Sequence, residues 1–188
     1  MNFSNLISDS TGAVHLIFSI LALITGSFIL IGQKGTVLHK RIGYAYVVSM
    51  TVVLVTAFAI YSLYGSFGIF HWMALFSSVT LAGGMIPMIF RRPRKSYIAY
   101  HFSFMYWSVI GLYGAFIAET LVRIPEVVIE SSVPNSTFYT MTGIGTFVVM
   151  MAGNIFFFRN KNKWMRQYGL IEDESVVSDI SSIDQAVK

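Results

Sequence analysis

Apolar residues in this chain do not recur at a helical spacing opposite a polar face; they run on without interruption. Five such runs cover residues 12–32, 42–64, 69–90, 97–122 and 137–158. Each is close to or above the ~20 residues a helix needs to cross a hydrocarbon layer of ~30 Å. A helix that is apolar all round has apolar surroundings on every side. The pattern therefore predicts an all-α integral membrane protein with five transmembrane helices. The breaks between runs constrain their arrangement. Gly65, Ser66, Phe67 and Gly68 make one very short turn and residues 91–96 another, so the helices they join are antiparallel neighbours. The first four helices then form an up-down four-helix bundle. The longer connection 123–136, with Pro125 and Pro134, sets the fifth helix apart. It packs on the flank of the bundle, with Gly143, Gly145 and Gly153 permitting close approach.

Composition agrees: 55% of the residues are hydrophobic and 12% charged, where soluble domains carry roughly 25% charge. The absence of cysteine excludes disulfides, iron–sulfur clusters, thiolate zinc sites and cysteine nucleophiles. Any metal must be held by His, carboxylate or Met. The basic residues fall in three places: Lys34, Lys40 and Arg41; Arg91, Arg92, Arg94 and Lys95; and Arg159, Lys161, Lys163 and Arg166. With five spans these places share one side, and the positive-inside rule makes that side cytoplasmic. The N-terminus is then outside and the C-terminus inside, in a membrane that bounds the cytoplasm. The net charge of +4 reports topology and contact with anionic headgroups, and requires no nucleic-acid partner.

Residues 1–11 form an outer segment with no Lys or Arg and a single Asp9, unlike the basic start of a signal peptide, so the first span is retained. Residues 159–188 read as a cytoplasmic tail, basic and then acidic, with Glu172, Asp173, Glu174, Asp179 and Asp184 in a Ser-rich, disordered stretch. Aromatic residues mark both interfaces: Tyr61, Tyr64 and Trp72 outside, and Tyr44, Tyr46, Tyr97, Tyr100 and Trp164 inside, with Trp107 deeper.

Ionisable side chains are costly at membrane depth, which makes His15, His39, His71 and His101 the leading candidates for chemistry. Each lies at or near the start of a different apolar run. Because successive helices alternate in direction, His15 and His71 share the outer layer and His39 and His101 the inner one. Two similar helix pairs generate this pattern, since His15, Gly26 and His39 parallel His71, Gly83 with Gly84, and His101. The layers are roughly 25 Å apart at ~1.5 Å rise per residue, too far for one ion to collect all four imidazoles. Each pair comes from helices diagonal across the bundle, a gap suited to a flat macrocycle ligated on both faces.

Three functions remain open. The first is a b-type haem protein for transmembrane electron transfer, with His15 and His71 holding an outer haem b and His39 and His101 an inner one. The second is a membrane metalloenzyme. There His15, His71 and Glu119, the carboxylate on the fourth helix, bind zinc or iron with open positions for water. Glu119 also reads as half of an ion pair with Arg123, four residues on. The third is a non-enzymatic carrier, assembly factor or pH-responsive protein, since imidazole titrates near neutrality. Asn154 joins the inner layer or bonds another helix. Met73, Met85 and Met88 read as packing residues, and Gly111 and Gly114 as sites of close packing or of room for a flat ligand. The chain has no P-loop, dinucleotide fingerprint, zincin or serine-nucleophile motif.

One His on each of four consecutive helices, alternating between membrane sides and pairing one helix apart, resembles the two-haem transmembrane b-type cytochromes of the ascorbate-reducing kind. That resemblance implies an electron path between haems near the two surfaces, with a redox partner at either end. This chain departs from it in having five spans where that kind has six. A second resemblance covers residues 12–122. It rests on His15 and Gly26, the His39-Lys40-Arg41-Ile42-Gly43-Tyr44 run, His71-Trp72 and His101. These residues look like a family of small bacterial multi-pass proteins known only as a domain of unknown function. The resemblance implies bacterial origin and topology, and no activity. Where that family has Arg directly after the second His, this chain has Lys40 and then Arg41.

Overall fold

A computed structural model describes residues 10–60, 65–94, 96–122 and 136–167. They form five helices: α1 Ser10–Ile31, α2 Val37–Ala59, α3 Ile69–Phe90, α4 Tyr97–Val122 and α5 Ser136–Gln167. All five are long and apolar enough to cross a membrane, and no strand occurs among the described residues. The protein is an all-helical, multi-pass membrane protein.

Three boundaries differ clearly from the expectation: α2 ends at Ala59, with Ile60 as its C-cap, instead of running to residue 64, and two others move for a local reason. Helix α2 begins at Val37 because Thr36 caps it, its hydroxyl accepting the His39 N–H at 3.1 Å. Gly35, at φ +78°, supplies the left-handed turn just before. His39 is therefore the third residue of a helix, where the hydropathy pattern had placed it ahead of one. Helix α5 continues through the basic stretch Arg159 to Arg166, which was expected to belong to the tail. That stretch contains no Gly or Pro to stop a helix, and its Trp164 packs against Phe102 of α4 at 5.4 Å between ring centroids. The acidic residues 172–184 lie outside the described residues.

At the end of α1 the Lys34 ammonium folds back and donates to the carbonyls of Ile29, Leu30 and Gly32 at 2.5, 2.8 and 2.9 Å. These are orphan acceptors of a helix terminus. Burial at this position pulls the Lys34 pKa below the ordinary lysine value.

Contacts between helices fix the topology. His15 pairs with Thr56, and Gly26 lies against Tyr46, so α1 and α2 are antiparallel. Gly84 lies against Met105 and Gly111 against Ser77, so α3 and α4 are too. Tight hairpins α1/α2 and α3/α4 close into a ring through lighter α2/α3 and α1/α4 contacts, and α5 packs on α4 alone. The up-down bundle with a flanking fifth helix is the arrangement the loop lengths predicted.

The core runs through Ala22, Tyr46, Met50, Val109 and Leu112. Tyr46, expected at the inner interface, is completely buried instead, and its hydroxyl pairs with Ser108 at 2.8 Å. Large apolar side chains such as Phe28, Val55, Val79, Ile86 and Phe147 point outward, which explains the lack of a polar face. Glycines set the closest approaches. A Cβ on Gly26 would come within 3.1 Å of both Tyr46 and Val109. On α5, Gly145 receives Leu121 and Ile117 and Gly153 receives Ile110, whereas Gly143 touches no neighbouring helix.

Gly26→Val forces a branched side chain against the fixed Tyr46 ring. We expect it to lower unfolding stability in detergent by ~1–3 kcal/mol. Gly43→Ala, where a Cβ meets nothing within 4 Å, is expected to be neutral or to stabilise by up to ~1 kcal/mol through helix propensity. Thermal or denaturant unfolding of the two variants checks the contrast.

Candidate functional site

The four histidines occupy the two layers expected of them, and their hydrogen bonds divide them differently. His15, half-buried on α1, has Nδ1 2.8 Å from Thr56 Oγ1. The Thr56 hydroxyl already donates to the carbonyl of Val52 at 2.7 Å. It must therefore accept from His15, which carries its proton on Nδ1 and a lone pair on Nε2.

His101 is in the same state. Its Nδ1–H donates to the carbonyl of Gly84 at 2.9 Å. The acceptor lies next to Gly83, whose carbonyl is the one that Pro87, lacking an N–H, leaves without its helical donor. Close approach of α4 there depends on the glycine pair: a Cβ on Gly83 would strike Phe104, and one on Gly84 would strike Met105. The sequence feature that read as half of a duplication thus holds the His101 ring in place.

His71 is different. Only 2% exposed, it accepts the backbone N–H of Gly68 on Nδ1 at 3.1 Å, capping the start of α3. An imidazole that accepts on Nδ1 carries its neutral-state proton on Nε2. Phe67 lies tilted over the ring at 4.8 Å.

His39, half-buried at the start of α2, stands within electrostatic reach of His101 as well as of Lys34 and Lys40. The two residues belong to helices α2 and α4, whose backbones make no contact across the bundle. Beside His39 there is room. Gly43, one turn on and on the same helix face, has nothing within 4 Å of where its Cβ would stand.

Among the described residues, no three His, Asp or Glu side chains gather as a group able to hold a metal ion. His15, His71 and Glu119 are therefore not assembled into the three-ligand outer site. Glu119 is half-buried on α4, and Arg123, its expected ion-pair partner, lies outside the described residues. Asn154 is exposed and does not join the inner layer, because α5 turns the Gly145, Gly153 and Phe157 face toward α4. Gly111 and Gly114 have ordinary contacts with Ser77 and Thr146 and leave no space for a flat ligand.

The pattern of runs did not identify the partners that orient these rings. Thr56 and the Gly84 carbonyl lie inside apolar runs, and so does the Tyr46–Ser108 pair that joins α2 to α4. Their signal was a hydroxyl or proline in a span, which also fits a side chain bonded to its own helix. Tyr106 belongs with them, since its hydroxyl donates to the carbonyl of Gly153 at 2.7 Å and ties α5 to α4.

Five spans, a packed bundle and inward-facing histidines define a small polytopic helical membrane protein. Residues 12–157 match the DUF2306 family, described as predicted membrane proteins, and the chain belongs to that family. No curated protein and no solved structure matches it.

Thr56→Val keeps shape and removes the acceptor, leaving the His15 Nδ1–H without its partner. We expect a loss of ~1–3 kcal/mol in unfolding stability. In a double-mutant cycle with His15→Leu, a coupling of ~0.5–3 kcal/mol is expected. Additive losses would show that the bond carries no energy.

Proposed function

We propose that this protein is a small b-type haem protein of the bacterial inner membrane. Its site would lie at the end of the bundle that bears the basic residues, with His39 and His101 as the residues that would hold the haem. One observation carries the reading. The His101 Nδ1–H is tied to the Gly84 carbonyl, the arrangement that leaves Nε2 as a basic donor and fixes ring orientation in metal-ligating histidines.

Two further features fit a flat macrocycle. His39 stands on the diagonal helix within electrostatic reach of His101, and Gly43, one turn on from His39, meets open space. Haem bound there supplies reversible one-electron exchange. The residues of the chain supply two imidazole donors, a hydrogen bond that raises the basicity of one, and an apolar helical shell that tunes potential. Lys34, with its ammonium spent on the α1 carbonyls, places positive charge beside the site.

The outer pair is left out of this reading. In its neutral capping state His71 bears a proton on the nitrogen a ligand would need, and releasing it costs the Gly68 cap. Electron transfer is therefore assigned to the basic face, with the positive-inside rule making that face cytoplasmic.

Protein expressed with adequate haem supply and purified in detergent should show Soret and alpha bands on reduction, with about one haem per chain. His101→Ala and His39→Ala should each abolish the bands. Gly43→Phe should reduce haem content by filling the adjoining space, and His71→Ala should leave the bands in place. A wild-type protein without these bands, or a fully loaded His101→Ala variant, contradicts the proposal.

A further inference from the structure

Between the two hairpins the bundle is not sealed. Helices α2 and α3 make only a light contact, and an open groove of about 390 Å³ lies between them. Val47, Thr51 and Phe58 line one wall and Ser78, Ala82 and Met85 the other. The two hydroxyls do not offer a polar contact, because Thr51 donates to Val47 O at 2.7 Å and Ser78 to Ala74 O at 2.8 Å. Both bonds stay within the residue's own helix, so the groove is an apolar surface.

Both walls lead to the same charged rim. Arg41 precedes Val47 by six residues on α2, and Arg91 follows Met85 by six on α3. Each is thus ~9 Å along its helix from the groove. Arg91 holds a left-handed conformation at φ 51°, and Arg92 donates its backbone N–H to the Pro87 carbonyl at 3.2 Å. This C-cap ends α3 at the mouth of the groove with two guanidinium groups. Lys40, Arg41, Arg91, Arg92 and Arg94 are all exposed. Residues 10–118 contain no Asp or Glu, and Glu119, the one acid of the four helices, lies at the opposite end of α4 from this rim.

The geometry points to a bound anionic glycerophospholipid, with one acyl chain in the α2/α3 groove and its phosphate at Arg41, Arg91 and Arg92. The dimensions agree. From Val47 to Phe58 the groove runs roughly 16 Å along α2, close to the ~15 Å depth of one leaflet's hydrocarbon. The ~9 Å between groove and rim leaves the headgroup and glycerol at the charged end. Charge selects the lipid: a net-negative headgroup is drawn to clustered Arg and Lys, and a zwitterionic one much less.

Native mass spectrometry of the purified full chain, exchanged into detergent with either phosphatidylglycerol or phosphatidylcholine, tests this. We expect one retained phosphatidylglycerol per chain and preference over phosphatidylcholine of at least about tenfold. The triple variant Arg41→Gln, Arg91→Gln, Arg92→Gln should lose the preference. Ala82→Trp should lose the bound lipid with the charges intact, and Ala82→Leu, a smaller plug, should weaken it if the tryptophan variant fails to fold.

Equal retention of the two lipids overturns the proposal. So does undiminished phosphatidylglycerol binding in folded Ala82→Trp, which would leave a charged surface without a groove site. Because the chain has no native cysteine, Ala82→Cys supplies a further test in vesicles. Efficient disulfide-linked dimer formation would show that a second copy occupies the groove and would likewise overturn the assignment.

Discussion

Hydrocarbon offers no hydrogen bonds, so a polar atom carried into it is satisfied only by a partner within the protein. Most of the hydroxyls in these spans satisfy that demand locally: Thr25, Thr51, Ser78, Thr80 and Thr120 each donate to a carbonyl of their own helix. A smaller set reaches across. His15 to Thr56, Ser27 to Tyr113, Tyr46 to Ser108, His101 to Gly84 and Tyr106 to Gly153 join different helices. Apolar packing against neighbours and against lipid is nearly interchangeable in energy, so these few directional bonds, with the glycine contacts, specify which faces meet.

That constraint also separates the histidines by what each nitrogen is doing. A ring that donates from Nδ1 is oriented and keeps a basic nitrogen; one that accepts on Nδ1 serves the backbone. His101 is the first kind, held from α3 through the Gly84 carbonyl, next to the one that proline leaves without its helical donor. His71 is the second, a helix cap that happens to be an imidazole. Their shared depth pattern in the sequence therefore hides two different employments.

Much of the architecture could be read from residue order because it follows from lengths. Unbroken apolar runs gave the spans, short turns gave the antiparallel neighbours, and the long connection before α5 gave its flanking place. The ends were less legible. A threonine cap outweighed polarity at the start of α2, and an uninterrupted helix-permissive stretch carried α5 past Phe158. Helix rotation was not legible at all, since a span surrounded by lipid has no polar face to mark its outside. Tyr46 shows the consequence: its position near a span end suggests an interface, and only the Ser108 hydroxyl across the bundle explains its burial. Asn154 shows the converse, an amide that looked inward by depth and faces outward by rotation.

The proposal stands or falls on whether His39 and His101 would together hold one haem. Electron paramagnetic resonance of the oxidised, purified protein reads the ligand set directly. The account predicts a single low-spin ferric signal of the bis-imidazole type, converted to a high-spin or absent signal in His39→Ala. A high-spin signal in the wild type, or a low-spin signal that survives loss of His39, would contradict it.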